Sequence, residues 1–301
     1  MKKDASILDR VGNTPMVRLD KLTQGKFTLW AKLEAFNPGG SVKDRAAKSM
    51  ILDGIESGKL KDGVRLLDAT SGNTGIGYAW IGAAMGIPVT LCIPGNASAE
   101  RFAILSAHGS EIIKTDPLAA TDGAQAKARE LKAENPDLYF YPDQYGNDAN
   151  WKAHYKTTGP EIWEQTDKSI THFVSVIGTT GTLMGVERYL KEQKSDIKII
   201  EVQPDAAFHG LEGIKHLPTV DIPAIYDETV KDELIEVSTE KSQEMVRRLA
   251  REEGILAGPS GGGNIVAAFE VAEKSDDPNL SIAILLPDSG TRYLQDEFWN
   301  V

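Results

Sequence analysis

Apolar positions along the chain switch repeatedly between two periods. Lys26 to Leu33 mixes β-branched, aromatic and apolar residues over a strand length, and Ala46, Ala47, Met50, Ile51 and Ile55 then recur at helical spacing. Before them, Met16 to Leu19 reads as a short strand. From Val64 the switch becomes regular: strand Val64 to Ala69 and helix Ile76 to Met85, strand Val89 to Ile93 and helix Ser98 to His108, strand Glu111 to Thr115 and helix Leu118 to Glu134. A second series starts near Trp151, with helical segments to Glu164, strand Thr171 to Ile177, helix Leu183 to Gln193 and strand Ile197 to Val202. An irregular stretch, Gln203 to Pro223, separates these from helices Thr239 to Glu253 and Asn264 to Lys274, which flank a loop from Gly258 to Gly263; strand Ser281 to Leu286 closes the pattern. Such alternation predicts an α/β protein with mainly parallel sheets covered by helices. A division falls near Gln144 to Trp151, and the first strands fit with either half.

Composition narrows the partners. The 301 residues suffice for one large or two ordinary domains, and the formal net charge of -11 weighs against nucleic acid and anionic membrane surfaces, which need clustered Lys and Arg. Small molecules are the expected ligands. The single cysteine, Cys92, lies in an apolar strand and is expected in the core; it excludes an intrachain disulfide and a multi-thiolate zinc site. The five histidines show no metal-ligand spacing, so no metal is expected, and His108, His154, His172 and His209 read as structural or surface residues. Met1-Lys2-Lys3-Asp4 leads into mixed polar sequence without an apolar segment of the signal-peptide kind, which makes the cytoplasm the default. The most apolar tract, Tyr78 to Pro94, is interrupted by Gly86 and Pro88 and reads as helix, turn and strand, not as a membrane span.

Candidate chemistry lies where strands meet helices. In Asn37-Pro38-Gly39-Gly40-Ser41-Val42-Lys43-Asp44-Arg45, Lys43 falls in the first turn of a helix, with Ser41 able to cap and Asp44 suited to the dipole. Burial at that positive end would lower the amine's pKa and free its lone pair, although alone it also reads as a solvated helix-start lysine. Thr70-Ser71-Gly72-Asn73-Thr74-Gly75 offers hydroxyls and free N–H groups to an anion such as a substrate carboxylate, or is simply a capped turn. Gly178-Thr179-Thr180-Gly181-Thr182 precedes a helix and can hold a dianionic phosphate without a lysine, or is a tight turn. Neither nucleotide fingerprint is present: Gly54 to Lys59 fails the P-loop spacing, and no Gly-x-Gly-x-x-Gly follows a strand. A cofactor phosphate fits better. Pro287-Asp288-Ser289-Gly290 follows the last strand and places a hydroxyl where it can meet a ring nitrogen. Together these suggest pyridoxal phosphate, with Lys43 as Schiff base, Gly178 to Thr182 on the phosphate and Ser289 on the pyridine nitrogen.

Ser41-Val42-Lys43-Asp44-Arg45, the Thr70 to Gly75 loop and the Gly178 to Thr182 loop resemble the fold-type II pyridoxal-phosphate enzymes of the cysteine synthase and cystathionine β-synthase family. The likeness runs from Gly12-Asn13-Thr14-Pro15 to Arg292-Tyr293-Leu294. Ala153-His154-Tyr155, the stretch from Thr157 to Trp163, the Thr-Thr phosphate loop and the short region after Gln203-Pro204 resemble the family's B-type branch. The resemblance implies two three-layer α/β/α domains with the active site between them: residues 1–12 with 36–147, and 13–35 with 148–301. It implies Lys43 as aldimine lysine and general base, and Asn73 on the cofactor's phenolic oxygen. Thr70, Ser71, Thr74 and Gln144 then hold the amino-acid carboxylate, Gly178, Thr179, Thr180, Gly181 and Thr182 the phosphate, and Ser289 faces the pyridine nitrogen. The implied reaction is a ping-pong β-replacement making L-cysteine from O-acetylserine and sulfide or thiosulfate through an α-aminoacrylate; a homodimer is also implied.

The chain departs from the pattern in three places. Gly258-Pro259-Ser260-Gly261-Gly262-Gly263 has glycine where the family usually has a second serine, so a structural role is expected. Pro287-Asp288-Ser289-Gly290 resembles the A-type synthases and cystathionine β-synthases more than the B type. Gly213-Ile214-Lys215-His216 stands where B-type enzymes often carry two arginines associated with larger anionic sulfur donors; Lys215 can serve there, with His216 assisting when protonated, or both are solvated. The nearest alternative is a cystathionine β-synthase joining serine, or an activated serine, to homocysteine. A catalytically silent scaffold is the alternative of a different class, and the intact Lys43, Asn73 and Ser289 argue against it.

Overall fold

The computed structural model describes residues 6–70 and 72–300. The chain opens with β1 (Met16–Arg18), the short helix α1 (Asp20–Thr23), β2 (Thr28–Leu33) and α2 (Lys43–Glu56). Next come β3 (Arg65–Ala69), α3 (Asn73–Met85), β4 (Val89–Pro94), α4 (Ala99–Ala107), β5 (Glu111–Thr115), α5 (Ala120–Glu134) and β6 (Tyr139–Phe140). Helix α6 (Asp148–Ala153), a π-helical turn (His154–Thr158), α7 (Gly159–Gln165), β7 (His172–Val176), α8 (Gly181–Gln193) and β8 (Lys198–Pro204) follow. β9 (Glu233–Val237), α9 (Thr239–Glu253), α10 (Pro259–Lys274) and β10 (Ser281–Leu286) complete the framework. The expected α/β class with mainly parallel sheets is the one formed.

The chain divides into two compact units, one built from residues 6–11 and 43–150, the other from 12–42 and 151–300. The first contains a four-stranded parallel sheet in the order β5-β4-β3-β6. Its central strands β3 and β4 are buried on both faces, as near-continuous apolar runs require, whereas the edge strand β5 is not. Leu66, Leu91 and Ile93 pack with Ala46, Met50, Ile51, Ile76, Ala79 and Leu105 on one side, whereas Leu67, Ala69 and Cys92 pack with Ala124 and Ala128 on the other. The alternation along β3 and β4 is the two-residue period of a strand.

The second unit has a six-stranded sheet, β1-β2-β10-β7-β8-β9, in which only the β1–β2 pair is antiparallel. The same alternation recurs. Val174, Ile200, Ile282, Ile284 and Leu286 face Val246, Leu249, Ile265 and Ala268, while Phe173, Ile199, Ala283 and Leu285 face Ile162, Leu183, Met184 and Leu190. Each unit is therefore a helix–sheet–helix sandwich.

Two strands escape the periodicity. β6 is only two residues long, and β9 carries Glu233 and Glu236 on an edge where Leu234 stays exposed, which obscures the strand pattern. The predicted loop from Gly258 to Gly263 is corrected: Pro259 starts α10, with Gly258 as its N-cap residue, and the three glycines are buried helical residues. The middle one is small because α9 lies against it. A Cβ on Gly262 would overlap the Ser242 carbonyl oxygen and stand 2.9 Å from its carbon and 3.0 Å from Val246 Cγ1. Gly262→Ala is expected to cost about 1–3 kcal/mol by overpacking this contact, read from the urea unfolding midpoint. Among the described residues no helix is long and apolar enough to cross a membrane.

Candidate active site

In open parallel sheets, ligands bind beyond the carboxyl ends of the strands where the strand order reverses. In the first unit the chain runs outward from β3 to β4 and β5, then returns to place β6 on the other flank of β3. The reversal therefore lies between β3 and β6, and the segments leaving these two strands carry Thr70, Asn73, Thr74 and Gln144. The structure joins two of them directly. Thr74 Oγ1 donates to Gln144 Oε1 at 2.8 Å, and Gln144 Nε2 donates to the Ala69 carbonyl at 3.3 Å. Thr70 Oγ1 accepts from Gly72 N at 3.2 Å and Gly75 N at 3.3 Å. The segment is thus a capped turn, yet the Thr70 hydroxyl keeps its hydrogen to donate. Asn73 is the first residue of α3 and half-buried. Ser71 lies outside the described residues.

Lys43 is the first residue of α2 and is half-buried, unlike a solvated helix-start lysine. Asp44 beside it is fully buried and accepts from Trp80 Nε1 at 3.1 Å, tying the start of α2 to α3. The approach to Lys43 belongs to the second unit. Gly40 has φ of +79°, a left-handed conformation that favours glycine, and a Cβ there would stand 2.8 Å from Arg292 Nη2. Arg292 donates to the Gly39 carbonyl, Val42 N donates to Pro287 O at 2.8 Å, and Ser41 forms a bridge with Asp288. Upstream, Glu34 accepts from Thr14 Oγ1 at 2.7 Å and Asn37 Nδ2 at 2.8 Å, and Asn37 Oδ1 accepts from Gly12 N at 2.8 Å. The turn before the lysine is consequently held on the segment that carries Ser289.

In the second unit the strand order reverses between β7 and β10, so the loops carrying Gly178 to Thr182 and Ser289 leave neighbouring strands. Thr180 is the N-cap residue of α8 and has φ of +67°, unusual for a β-branched residue. Such strain persists where the surroundings over-determine it, often at ligand sites. Its Oγ1 is buried without a hydrogen-bond partner among the described residues. Thr179 is also buried, and Gly181 begins the 13-residue helix whose first N–H groups lack intrahelical acceptors. Lys215 comes to the same loop: its N–H donates to Ile177 O at 2.8 Å, and a Cβ on Gly178 would overlap the Gly213 carbonyl oxygen. His216 Nδ1 pairs with Thr219 Oγ1 at 2.9 Å. Ser289 Oγ accepts from Thr291 N at 3.2 Å and lies 2.9 Å from Thr291 Oγ1.

Sequence reasoning missed one contact here. His154, expected to be structural or on the surface, is buried with Nε2 at 3.3 Å from Thr182 Oγ1 and Nδ1 at 2.9 Å from Thr158 Oγ1. The π-helical turn that carries it, a form frequent at functional sites, has no local sequence signature. Cys92 is in the core as expected, and burial pushes its thiol up to about 11, which leaves it inert as a nucleophile. Among the described residues no group of three or more His, Cys, Asp or Glu could hold a metal ion.

Comparison with known proteins follows the same lines. A family described as "Pyridoxal-phosphate dependent enzyme" matches residues 7–288. The chain is 47% identical to a cysteine synthase of Aquifex aeolicus over 97% of this chain and 91% of the relative. It is 43% identical to cysteine synthase B of Pseudomonas aeruginosa over 98% of this chain and 97% of the relative. A crystal structure of an Entamoeba histolytica cysteine synthase superposes with a TM-score of 0.95 at 36% identity, covering all of this chain and 92% of the other. The Gly178 to Thr182 loop is suited to the phosphate of such a cofactor: it offers helix-start N–H groups and a buried Thr180 hydroxyl that lacks a protein partner among the described residues. By the full-length match and by this fit, the chain belongs to the pyridoxal-phosphate dependent enzymes.

Proposed function

We propose that the chain is a β-replacement enzyme making L-cysteine from O-acetylserine and sulfide or thiosulfate, of the cysteine synthase B kind. The observation that carries this reading is the identity of 41–47% to cysteine synthases over nearly the whole length. Bound pyridoxal phosphate supplies an electron sink that acidifies the substrate's α-hydrogen and lets the β-substituent leave. Lys43 Nζ would hold the cofactor and act as general base, taking the α-proton and returning it. Gly178 to Thr182 would hold the phosphate through backbone N–H groups and hydroxyls, and Asn73 would donate to the phenolic oxygen. Thr70, Thr74 and Gln144, with Ser71 beyond the described residues, would hold the substrate carboxylate. The neutral Ser289 hydroxyl would face the ring nitrogen without forcing its protonation, which limits carbanion lifetime and favours prompt elimination. Lys215, held beside the phosphate loop, is the candidate for attracting an anionic sulfur donor. The same reading makes the protein a cytoplasmic homodimer acting on small molecules.

The visible spectrum before and after O-acetylserine tests the reading. A cofactor band that shifts on adding O-acetylserine and returns on adding sulfide is the expected result. Faster turnover of serine with homocysteine than of O-acetylserine with sulfide or thiosulfate would overturn the substrate assignment, and a protein that takes up no cofactor would overturn the whole.

A further inference from the structure

The ladder between β7 and β10 stops early. Its partners run from Ile282↔His172 to Ile284↔Val174, although both strands continue to Val176 and Leu286. In a parallel ladder, alternate residues of a strand bond to each of its two neighbours. The residues flanking β7 set the phase: Ile177 N donates to Val202 O at 3.0 Å and Lys198 N donates to Thr171 O at 2.8 Å, so within the strand the odd-numbered positions face β8, while Thr171, just before the strand, turns its N–H to Ser281 O at 2.8 Å. Even-numbered positions therefore face β10. After Val174, the next bond due runs from the Val176 N–H to the Leu285 carbonyl.

A side chain takes that bond. Asn264, fully buried in the second turn of α10, accepts from Val176 N with Oδ1 at 2.6 Å and donates from Nδ2 to Leu285 O at 2.8 Å. A direct bond would hold the two backbone atoms about 2.9 Å apart. The interposed amide holds them an amide's width further. Nothing else about the position favours asparagine: the neighbours Ile265, Ala267 and Ala268 are core residues, and a buried amide is costly unless both its ends are bonded.

We propose that Asn264 is a positioning residue whose amide wedges apart the carboxyl ends of β7 and β10 and thereby sets the spacing between the Gly178–Thr182 loop and Ser289. The consequence for the cofactor rests on the functional reading above, in which those two loops grip its phosphate and its ring nitrogen. Gly178 is two residues beyond Val176, and Ser289 three beyond Leu286, so a change in strand separation passes directly into both loops. The strand order also reverses between these two strands, where a crevice is needed.

Asn264→Ala tests the wedge in the holoenzyme. A crystal structure of the variant is expected to show Val176 N bonded directly to Leu285 O, and dialysis of the holoenzyme should release cofactor about tenfold faster than the parent. Gly262→Ala, which strains α10 without touching either strand, controls for loss of stability. Asn264→Asp, which keeps the Val176 bond and sets a carboxylate against the Leu285 carbonyl, is the second variant should the alanine fail to fold; it too is expected to release cofactor faster than Gly262→Ala. An unchanged strand gap filled by water, or release no faster than from Gly262→Ala, would overturn the wedge. A parent protein that takes up no cofactor would overturn the functional reading instead, and the strand gap in the variant's structure would still decide the wedge.

Discussion

Lys43→Ala is expected to lower turnover of O-acetylserine and sulfide by on the order of a thousandfold or more, the scale of losing a positioned general base together with covalent attachment. Cofactor should remain bound without its covalent link, because the loop proposed to hold its phosphate, with the buried Thr180 hydroxyl and the start of α8, belongs to a separate part of the chain. Steady-state assays and the cofactor content after gel filtration check both halves. Parent-level turnover in the variant would remove Lys43 from the chemistry. Loss of all cofactor with the fold intact would show that the loop cannot hold the phosphate alone.

The second large effect concerns stability. Asp68 is the next-to-last residue of β3, just before the Thr70 turn, and is buried, with Oδ1 accepting from Ala69 N at 2.7 Å and Oδ2 without a hydrogen-bond partner among the described residues. Burial pushes its carboxyl up to about 7, and the charge of Asp143 adds to the rise, while the Tyr78 hydroxyl and the Ala69 N–H oppose it. Cys92, Tyr141 and Tyr145 also feel its charge, and none of them supplies a cation. An unfolded Asp titrates near 3.9, so between about pH 4 and 7 the folded chain binds a proton that the unfolded chain has released. Stability from this group is therefore complete below about pH 4 and is lost as pH rises to about 7, by about 4 kcal/mol. Asp68→Asn keeps the acceptor for Ala69 N and cannot ionise. It is expected to match the parent near pH 4 and to exceed it by about 2–4 kcal/mol at pH 8, measured by urea unfolding at both values. Equal pH dependence in the two proteins would rule the buried ionisation out.

Much of this architecture was legible from local pattern. The alternation of two-residue and helical periods placed most strands and helices, because a strand buried on both faces and a helix covering it each leave their own spacing of apolar residues. The three Gly-, Ser- and Thr-rich junctions were legible for a similar reason: a backbone that must turn sharply at a strand end and expose N–H groups needs small and hydroxylated residues. The glycine run after Gly258 misled, since glycine signals both a turn and a close approach of two helices. Only packing against Ser242 and Val246 decides for the helix.

What the chain by itself determined was the α/β class and the Gly-, Ser- and Thr-rich turns and helix-start lysine from which the site is proposed, all consequences of residues close in sequence. Tertiary structure alone decided which distant side chains complete those loops. Thr74 meets Gln144 seventy residues away, His154 turns inward to Thr182, and Asn264 replaces a backbone bond between strands that it neither belongs to nor adjoins. A buried polar group is satisfied by whatever the fold brings within about 3 Å. That partner is a property of strand order and register, not of the neighbouring sequence.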